Sequence, residues 1–325
     1  TQTAALPASY TPSPLLSKPE LVDLRSANAS HFDLGDGRRL AVVGAAPLNY
    51  QDAAGNWQPI EPGFAQVEGG WRVDHNTLRS TFTGDSTAVR LESEGQVFGW
   101  QPVALEIDDG DGGARQLAVP QPGDAVQAEG LGPLLRYANA WSDATLVEQF
   151  QSSAGRLEQE LILAQAPALV PARAPAGQGQ WLSLRVDLAL PAGVEIVANG
   201  QVQTGEFATY GAVELQQAGG TPLLALDPPQ AYEQGDRSAS TAGRYRVVPH
   251  GHGLTLWVQT PLDWWLAAER SYPAVWVRAG RLGEMPARLM KAMSATAMVA
   301  TSSKLKAWND DRAECRASDE ERVRE

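Results

Sequence analysis

Cysteine is almost absent from this sequence, in which Cys315 is the only one among 325 residues. A single thiol excludes an intramolecular disulfide and a zinc site built from several cysteines. No stretch is long and apolar enough to cross a bilayer as a helix. The net charge is −12, and no cluster of Lys and Arg precedes residue 280. We therefore expect no membrane span and no nucleic-acid partner, because binding a phosphate backbone requires clustered cations.

Short motifs that indicate common chemistries are also missing. The sequence contains no Walker loop, no G-x-S-x-G nucleophile elbow and no H-E-x-x-H motif. His250 with His252, and Asp109 with Asp111, have spacings that a metal site could use. Glycines interrupt both stretches, so a tight turn explains each of them better than a metal site does. The sequence predicts no catalytic residue, no cofactor and no metal, and therefore not an enzyme.

Glycine, proline and tryptophan are abundant instead, with 31, 22 and 10 residues. Frequent turn residues together with many aromatic residues are typical of all-β proteins whose sheets pack face to face. Short alternating stretches recur along the chain, and helical patterns of more than two turns are absent before residue 263. The sequence therefore predicts an all-β fold of antiparallel, sandwich-like units.

The clearest predicted strand is "WLSLRVDLAL", at residues 181–190. Its apolar side chains alternate strictly with polar ones, which indicates one buried face and one solvated face. The predicted buried face consists of Leu182, Leu184, Val186, Leu188 and Leu190. The predicted solvated face consists of Ser183, Arg185 and Asp187.

Proline and glycine also suggest where the chain divides. Residues 1–19 contain four prolines and predict an extended leader. A Pro-, Ala- and Gly-rich stretch at 165–179 predicts a linker. We therefore expect two consecutive antiparallel β-units, at 20–164 and 180–277, followed by an irregular or helical tail at 278–325.

Tryptophan offers one alternative function. Trp141, Trp264 and Trp265 could serve as stacking platforms for sugar rings in a carbohydrate-binding or glycan-processing accessory domain. Asp263 and Glu269 flank two of these rings and could form the carboxylate pair of a glycoside hydrolase. A polar rim on a short terminal element explains the same two carboxylates. Exposed tryptophans in a row would favour the glycan function, whereas tryptophans packed between sheets would favour a scaffold.

The stretch "NYQDAAGNWQPI" belongs to a longer segment that resembles a known family. Residues 20–64 resemble the start of large secreted or wall-associated bacterial proteins with DNRLRE domains and often YD (Rhs-type) repeats. The matching positions are Glu20, Leu21, Arg25, Asn28, Phe32, Asp36, Gly37, Tyr50, Asp52, Gly55, Trp57 and Ile60. The later segments "LRYANAWSDATLVEQFQSSAGRLEQELIL" and "WWLAAERSYPAV" also look like parts of that family.

This resemblance implies a non-catalytic structural or adhesive β-scaffold of a bacterial surface or secreted protein. The implied partners are cell-wall glycan or neighbouring domains of the same polypeptide. No catalytic residue is carried over from the family. Gly55-Asn56 is suited to a hairpin turn, while Trp57 and Ile60 can offer apolar area to a facing sheet.

The resemblance ends after Val277, where the family normally continues with an Asp-Pro pair. All four methionines lie in the remaining tail, at Met285, Met290, Met293 and Met298. A terminal helix would explain this composition, because Ala, Met, Leu and Lys favour helices. A reading-frame shift near residue 278 is the sharper hypothesis, and it predicts a tail without designed tertiary partners.

Overall fold

The computed structural model describes residues 18–108, 113–127, 134–167, 179–251 and 253–281. Within these ranges the chain is almost entirely β, which confirms the predicted fold class. The helical exceptions are a 3₁₀ turn at Val22–Leu24 and one α-helix, α1, at Leu262–Leu266. No helix in the described part of the chain has the length and apolar character needed to cross a membrane.

The strands are short and follow one another through tight turns. The first twelve are β1 (Ala29–Gly35), β2 (Arg38–Val43), β3 (Asn49–Gln51), β4 (Trp57–Pro59), β5 (Ala65–Val67), β6 (Gly70–Val73), β7 (Arg79–Thr83), β8 (Val89–Ser93), β9 (Gln96–Asp108), β10 (Ala114–Ala118), β11 (Asp124–Gln127) and β12 (Leu134–Ala138). The next seven are β13 (Leu146–Ser153), β14 (Arg156–Leu163), β15 (Trp181–Ala189), β16 (Val194–Ala198), β17 (Gln201–Gln203), β18 (Phe207–Thr209) and β19 (Val213–Gln217). The last six are β20 (Pro222–Leu226), β21 (Gln230–Glu233), β22 (Asp236–Ala242), β23 (Arg244–His250), β24 (Gly253–Pro261) and β25 (Ala274–Arg281).

These strands form two large sheets and two small hairpins. The ten-stranded sheet has the order β18-β23-β24-β15-β9-β8-β7-β6-β5, and β10 also pairs with β9. The eleven-stranded sheet has the order β11-β12-β13-β14-β25-β20-β19-β16-β17, with β21 on β25 and β22 on β21. The hairpins are β1–β2 and β3–β4, and the pairings in all four sheets are antiparallel.

The two large sheets pack face to face over a continuous apolar core. The rings of Phe82 on β7 and Phe150 on β13 meet edge to face, with centroids 5.0 Å apart. Tyr137 on β12 donates a hydrogen bond from its hydroxyl to the carbonyl of Thr83, at 2.7 Å. Aromatic pairs of this kind contribute stability beyond that expected from the area they bury. The contacts between the two sheets therefore stabilise the fold.

Strands from both predicted units take part in both large sheets. β9, before the predicted linker, pairs with β15 from Asp108–Trp181 to Gly99–Ala189. β14, also before it, pairs with β25 along its whole length. The ranges 20–164 and 180–277 are therefore joined through both sheets and do not stand as two separate sandwiches. The Pro- and Gly-rich stretch marks a connection between strands, and such a composition carries no information about which strands pair.

The alternation predicted for residues 181–190 is present in β15. Leu182, Leu184, Val186 and Leu188 are buried, whereas Arg185 is partly exposed and Asp187 is exposed. Ser183 departs from the prediction, because it lies on the opposite face and is nevertheless fully buried. Polar side chains from neighbouring strands cover that face at this point.

The predicted turns lie between paired strands. β1 and β2 meet around Gly35-Asp36-Gly37, and β3 and β4 meet around Gly55, whose φ of 81° favours glycine. β9 and β10 pair on either side of the stretch that contains Asp109 and Asp111. His250 pairs with Gly253 where β23 turns into β24. Asp109, Asp111 and His252 lie outside the described residues.

The last strand continues past the predicted end of the second unit at residue 277. β25 ends at Arg281, which pairs with Arg156 on one side and with Ala225 on the other. Residues 278–281 are therefore part of the sandwich rather than of the tail. The rest of the tail, which contains the four methionines, lies outside the described residues. The same is true of residues 1–17 of the predicted leader and 168–178 of the predicted linker.

Candidate functional site

Two of the three predicted stacking tryptophans are buried in the core. Trp141 is 1% exposed, and its indole N–H donates to Glu148 Oε2 at 3.0 Å. Trp265 is fully buried, and its indole N–H donates to Thr260 Oγ1 at 2.8 Å. Neither ring offers a face to a ligand from solvent.

Trp264, the third predicted platform, is half-buried beside Trp265. The guanidinium of Arg270 covers one side of its ring, 3.8 Å from the centroid. Asp263 is exposed and accepts a hydrogen bond from the backbone N–H of Trp264, and Glu269 is exposed on the following turn. Asp263 thus bonds within the first turn of α1, and Glu269 lies beyond the end of that helix.

A different group of side chains is gathered on the outer face of the ten-stranded sheet. We name it the outer polar network; its members are Glu106, Asp108, Ser183, Arg185, Arg244, Arg246, Trp257 and Gln259. The strand register places Glu106, Ser183, Gln259 and Arg244 in one row across β9, β15, β24 and β23. Side chains that occupy one row and one face of a sheet are in reach of each other.

Two carboxylates lie at the base of this network. Glu106 is 3% exposed and accepts a hydrogen bond from the Trp257 indole N–H at 2.8 Å. Asp108 is 4% exposed and accepts one from the Gln259 amide at 2.8 Å. Burying a carboxylate is costly unless it is hydrogen-bonded, and these donors provide that compensation.

Gln259 is the central member, with bonds in three directions. Besides Asp108, its amide nitrogen contacts the Ser183 hydroxyl at 3.1 Å, and its amide oxygen accepts from Arg244 Nε at 2.8 Å. The residue is fully buried, as is Ser183. The Gln259 amide nitrogen donates to the Ser183 hydroxyl and cannot accept its proton, so this contact does not activate Ser183 as a nucleophile.

Arginines form the outer layer of the network. Arg185 Nη1 lies 3.9 Å from Glu106 Oε2, and Arg246 Nη1 lies 3.7 Å from Asp108 Oδ2. Arg244 stacks on Trp181 at 3.9 Å, and Arg246 stacks on Trp257 at 4.9 Å. Stacked guanidinium groups shield the carboxylates from water while remaining partly solvated themselves.

The eleven-stranded sheet carries a second set of buried acidic groups. Glu148 is fully buried on the inner face, where Gln159 also donates to it. Glu160 lies on the outer face and accepts from the Tyr232 hydroxyl at 2.9 Å. Burial, together with the charge of Glu160, raises the pKa of Tyr232 well above its usual value. Sequence alternation alone would have placed an apolar residue at the position of Glu148.

One cleft opens between the sheets at the ends of β9 and β14. Its volume is about 230 Å³, and Leu105, Leu146 and Leu163 form an apolar floor. Arg115 and Asp143 are among the polar residues at its rim. None of the site residues predicted from the sequence lines this cleft.

Sequence reasoning missed the outer polar network, although one signal was present. The stretch "LTLWVQ", residues 254–259, alternates with a period of two and so places Trp257 and Gln259 on the face opposite its leucines. Among the described residues, no group of three or more His, Cys, Asp or Glu side chains is placed to hold a metal.

No protein-family model, no curated protein and no solved structure matches this chain.

Proposed function

We propose that this chain is a non-catalytic structural or adhesive β-module of a large bacterial surface or secreted protein. The observation that carries the proposal is the structural use of the buried tryptophans and buried carboxylates of the chain. Trp100, Trp141 and Trp265 fill the space between the sheets, and the carboxylates of Glu106 and Asp108 are bonded to neighbouring strands. These three rings and two carboxylates are therefore committed to the fold.

The two hairpins formed by residues 20–64, which carry the family resemblance, also support this function. Arg25 forms a two-point ion pair with Glu20, at 2.6 and 2.7 Å, and donates from Nη1 to the carbonyl of Trp57 at 3.0 Å. Asn49 donates to the carbonyls of Ser26 and Ala29 at 2.8 and 3.1 Å. These side chains fasten β1–β2 to β3–β4.

The "NYQDAAGNWQPI" segment has structural contacts throughout. Asp52 accepts from the backbone N–H groups of Ala54 and Asn56, both at 2.9 Å, which fixes the turn. These hydrogen bonds, with one from the Gln58 amide, hold the pKa of Asp52 below its usual value. Tyr50 stacks on His75 with centroids 5.9 Å apart and so attaches the hairpin to the sandwich.

The alternative function, glycan stacking on Trp141, Trp264 and Trp265, has less support. Two of these rings are buried between the sheets, and Arg270 covers one side of the third. A sugar ring needs an accessible aromatic face, which this set offers only at part of Trp264.

Two measurements on the full chain test the proposal. We expect no turnover on a panel of glycan, peptide and ester substrates. In the bacterium that encodes the chain, we expect trypsin treatment of intact cells, or analysis of the medium, to release its peptides. Turnover that is lost on substitution of a single residue, or a chain found only in the lysate of protease-treated cells, would contradict the proposal.

A further inference from the structure

Trp257 is the aromatic member of the outer polar network, and it is only half-buried. It lies on β24 between Arg185 of β15 and Arg246 of β23, which are its direct partners in the strand register. Thr255 occupies the same face of β24, two positions away. An aromatic ring thus reaches the surface inside a rim of polar side chains.

The rim holds donors and acceptors that face solvent. Asp187 is exposed and accepts from the Thr255 hydroxyl at 2.9 Å. Arg246 donates from Nε to Glu206 at 2.7 Å, and its side chain is 31% exposed. The side chain of Arg185 is 35% exposed, and its Nη1 is 3.9 Å from Glu106, which is longer than a hydrogen bond.

Arg185 is the least satisfied member of this rim. Its Nε is buried and has no hydrogen-bond partner. The same guanidinium has exposed edges, so it can donate further hydrogen bonds to a ligand without breaking any that hold the sheet. Planar guanidinium and carboxylate groups are suited to paired hydrogen bonds with adjacent hydroxyl groups.

Charges of the two signs alternate around Trp257. Arg185 lies beside Glu106, Arg246 lies beside Asp108 and Glu206, and Asp187 adds a further carboxylate at the rim. No field of a single sign results that would favour a polyanion or a polycation. An uncharged ligand rich in hydroxyl groups, with one apolar face, suits this arrangement.

We propose that the surface around Trp257 is a binding site for a neutral sugar ring of a glycan. Arg246 stacks on the indole, 4.9 Å from its centroid, and the part of the indole that remains exposed would contact the C–H face of the ring. Arg185, Arg246 and Asp187 would bond its hydroxyl groups. This site goes beyond the proposed structural function and uses none of the tryptophans predicted from the sequence.

The test uses the full chain on an array of neutral and acidic glycans, followed by titration of the glycans that bind. Arg185→Gln and Asp187→Asn remove one donor and one acceptor that face solvent. Arg90→Gln is the matched control, because Arg90 is an exposed arginine on the outer face of β8 in the same sheet. Far-UV circular dichroism and the thermal midpoint verify that each variant is folded.

We expect saturable binding of at least one neutral glycan, weakened about tenfold or more by Arg185→Gln and by Asp187→Asn, with Arg90→Gln unchanged. If either variant fails to fold, tryptophan fluorescence provides the test instead. The glycan should quench the fluorescence of the wild type more than that of a folded Trp257→Phe chain. Absence of binding, binding of acidic glycans alone, or equal affinities in the variants would overturn the proposal. Each of these results would leave the structural function untouched.

Discussion

The two faces of β15 are both buried near its start, but by different chemistry. Toward the eleven-stranded sheet, Leu182, Leu184 and Val186 lie in the apolar core. Toward the outside, Ser183 is equally inaccessible, and Gln259 covers it through a hydrogen bond. One face is closed by packing and the other by a polar network.

This difference shows how the two parts of the chain are held together. β15 begins the second predicted unit, and its neighbour β9 belongs to the first. On the outer face, the bonds from Trp257 to Glu106 and from Gln259 to Asp108 each join residues 151 positions apart. Both faces of β15 therefore bind the ranges 20–164 and 180–277 into one structure. The apolar face should contribute more, because the burial of apolar side chains is favourable by itself and needs no compensating partners.

The largest effect should come from the inner face. Leu184→Ala should lower the free energy of unfolding by about 2–5 kcal/mol, because it leaves a cavity between the sheets. Leu184 already borders a small void of about 10 Å³ beside Val258 and Trp276, which the substitution would enlarge. Chemical denaturation measures the loss. Val202→Ala is the control, since Val202 is 53% exposed and should change stability little. Equal losses in the two variants would contradict the assignment of Leu184 to the core.

The outer polar network should give the next largest effect. Gln259→Leu conserves size but removes the bonds to Asp108, Ser183 and Arg244. Leaving buried polar groups without a partner costs about 1–3 kcal/mol. We expect a loss in that range by denaturation, with the exposed Gln66→Leu as control. A stability equal to that of the wild type would show that the network does not contribute to the fold.

A smaller effect should be found in the hairpins, where it depends on pH. The hydrogen bond from Arg25 lowers the pKa of Glu20, so the folded state favours the charged carboxylate. The stabilisation is therefore present at neutral pH and is lost as the pH falls through the lowered folded-state value. Glu20→Gln should cost about 0.2–1 kcal/mol at pH 7 and less at pH 3. Thermal midpoints of wild type and variant at both pH values measure it; a gap that is unchanged at pH 3 would refute the ion pair as its cause.

The smallest effect should come from Arg185, on the partly exposed side of β15. Its contact with Glu106 is long, and a solvated arginine of this kind contributes little. We expect Arg185→Ala to change the free energy of unfolding by less than about 0.5 kcal/mol in the same denaturation experiment. A loss as large as that of Gln259→Leu would mean that the arginine layer is needed to keep the carboxylates buried.

The sequence was informative where structure depends on local pattern. Alternation in 181–190 predicted the inner face of β15, and the glycines at 35, 37 and 55 predicted hairpin turns. These features depend on residues close together in the chain. The all-β fold class followed from the same local signals.

The remaining features depend on contacts between distant residues. The burial of Ser183 needs Gln259, which is 76 positions away, and no local pattern encodes that contact. The same reason explains why Trp141 and Trp265 could be proposed as platforms although both lie in the core. The Pro- and Gly-rich composition of 165–179 predicts a boundary between two units, but the pairings of β9 with β15 and of β14 with β25 join strands from both sides of it.

The most direct test of the account is the cooperativity of unfolding of the full chain. Urea denaturation should be followed by tryptophan fluorescence, which reports on the core, and by far-UV circular dichroism, which reports on the strands. If both faces of β15 join the two ranges into one structure, the two signals should give a single transition with coincident midpoints. Two separate transitions, with a stable intermediate in which only one of the ranges 20–164 and 180–277 is folded, would contradict it.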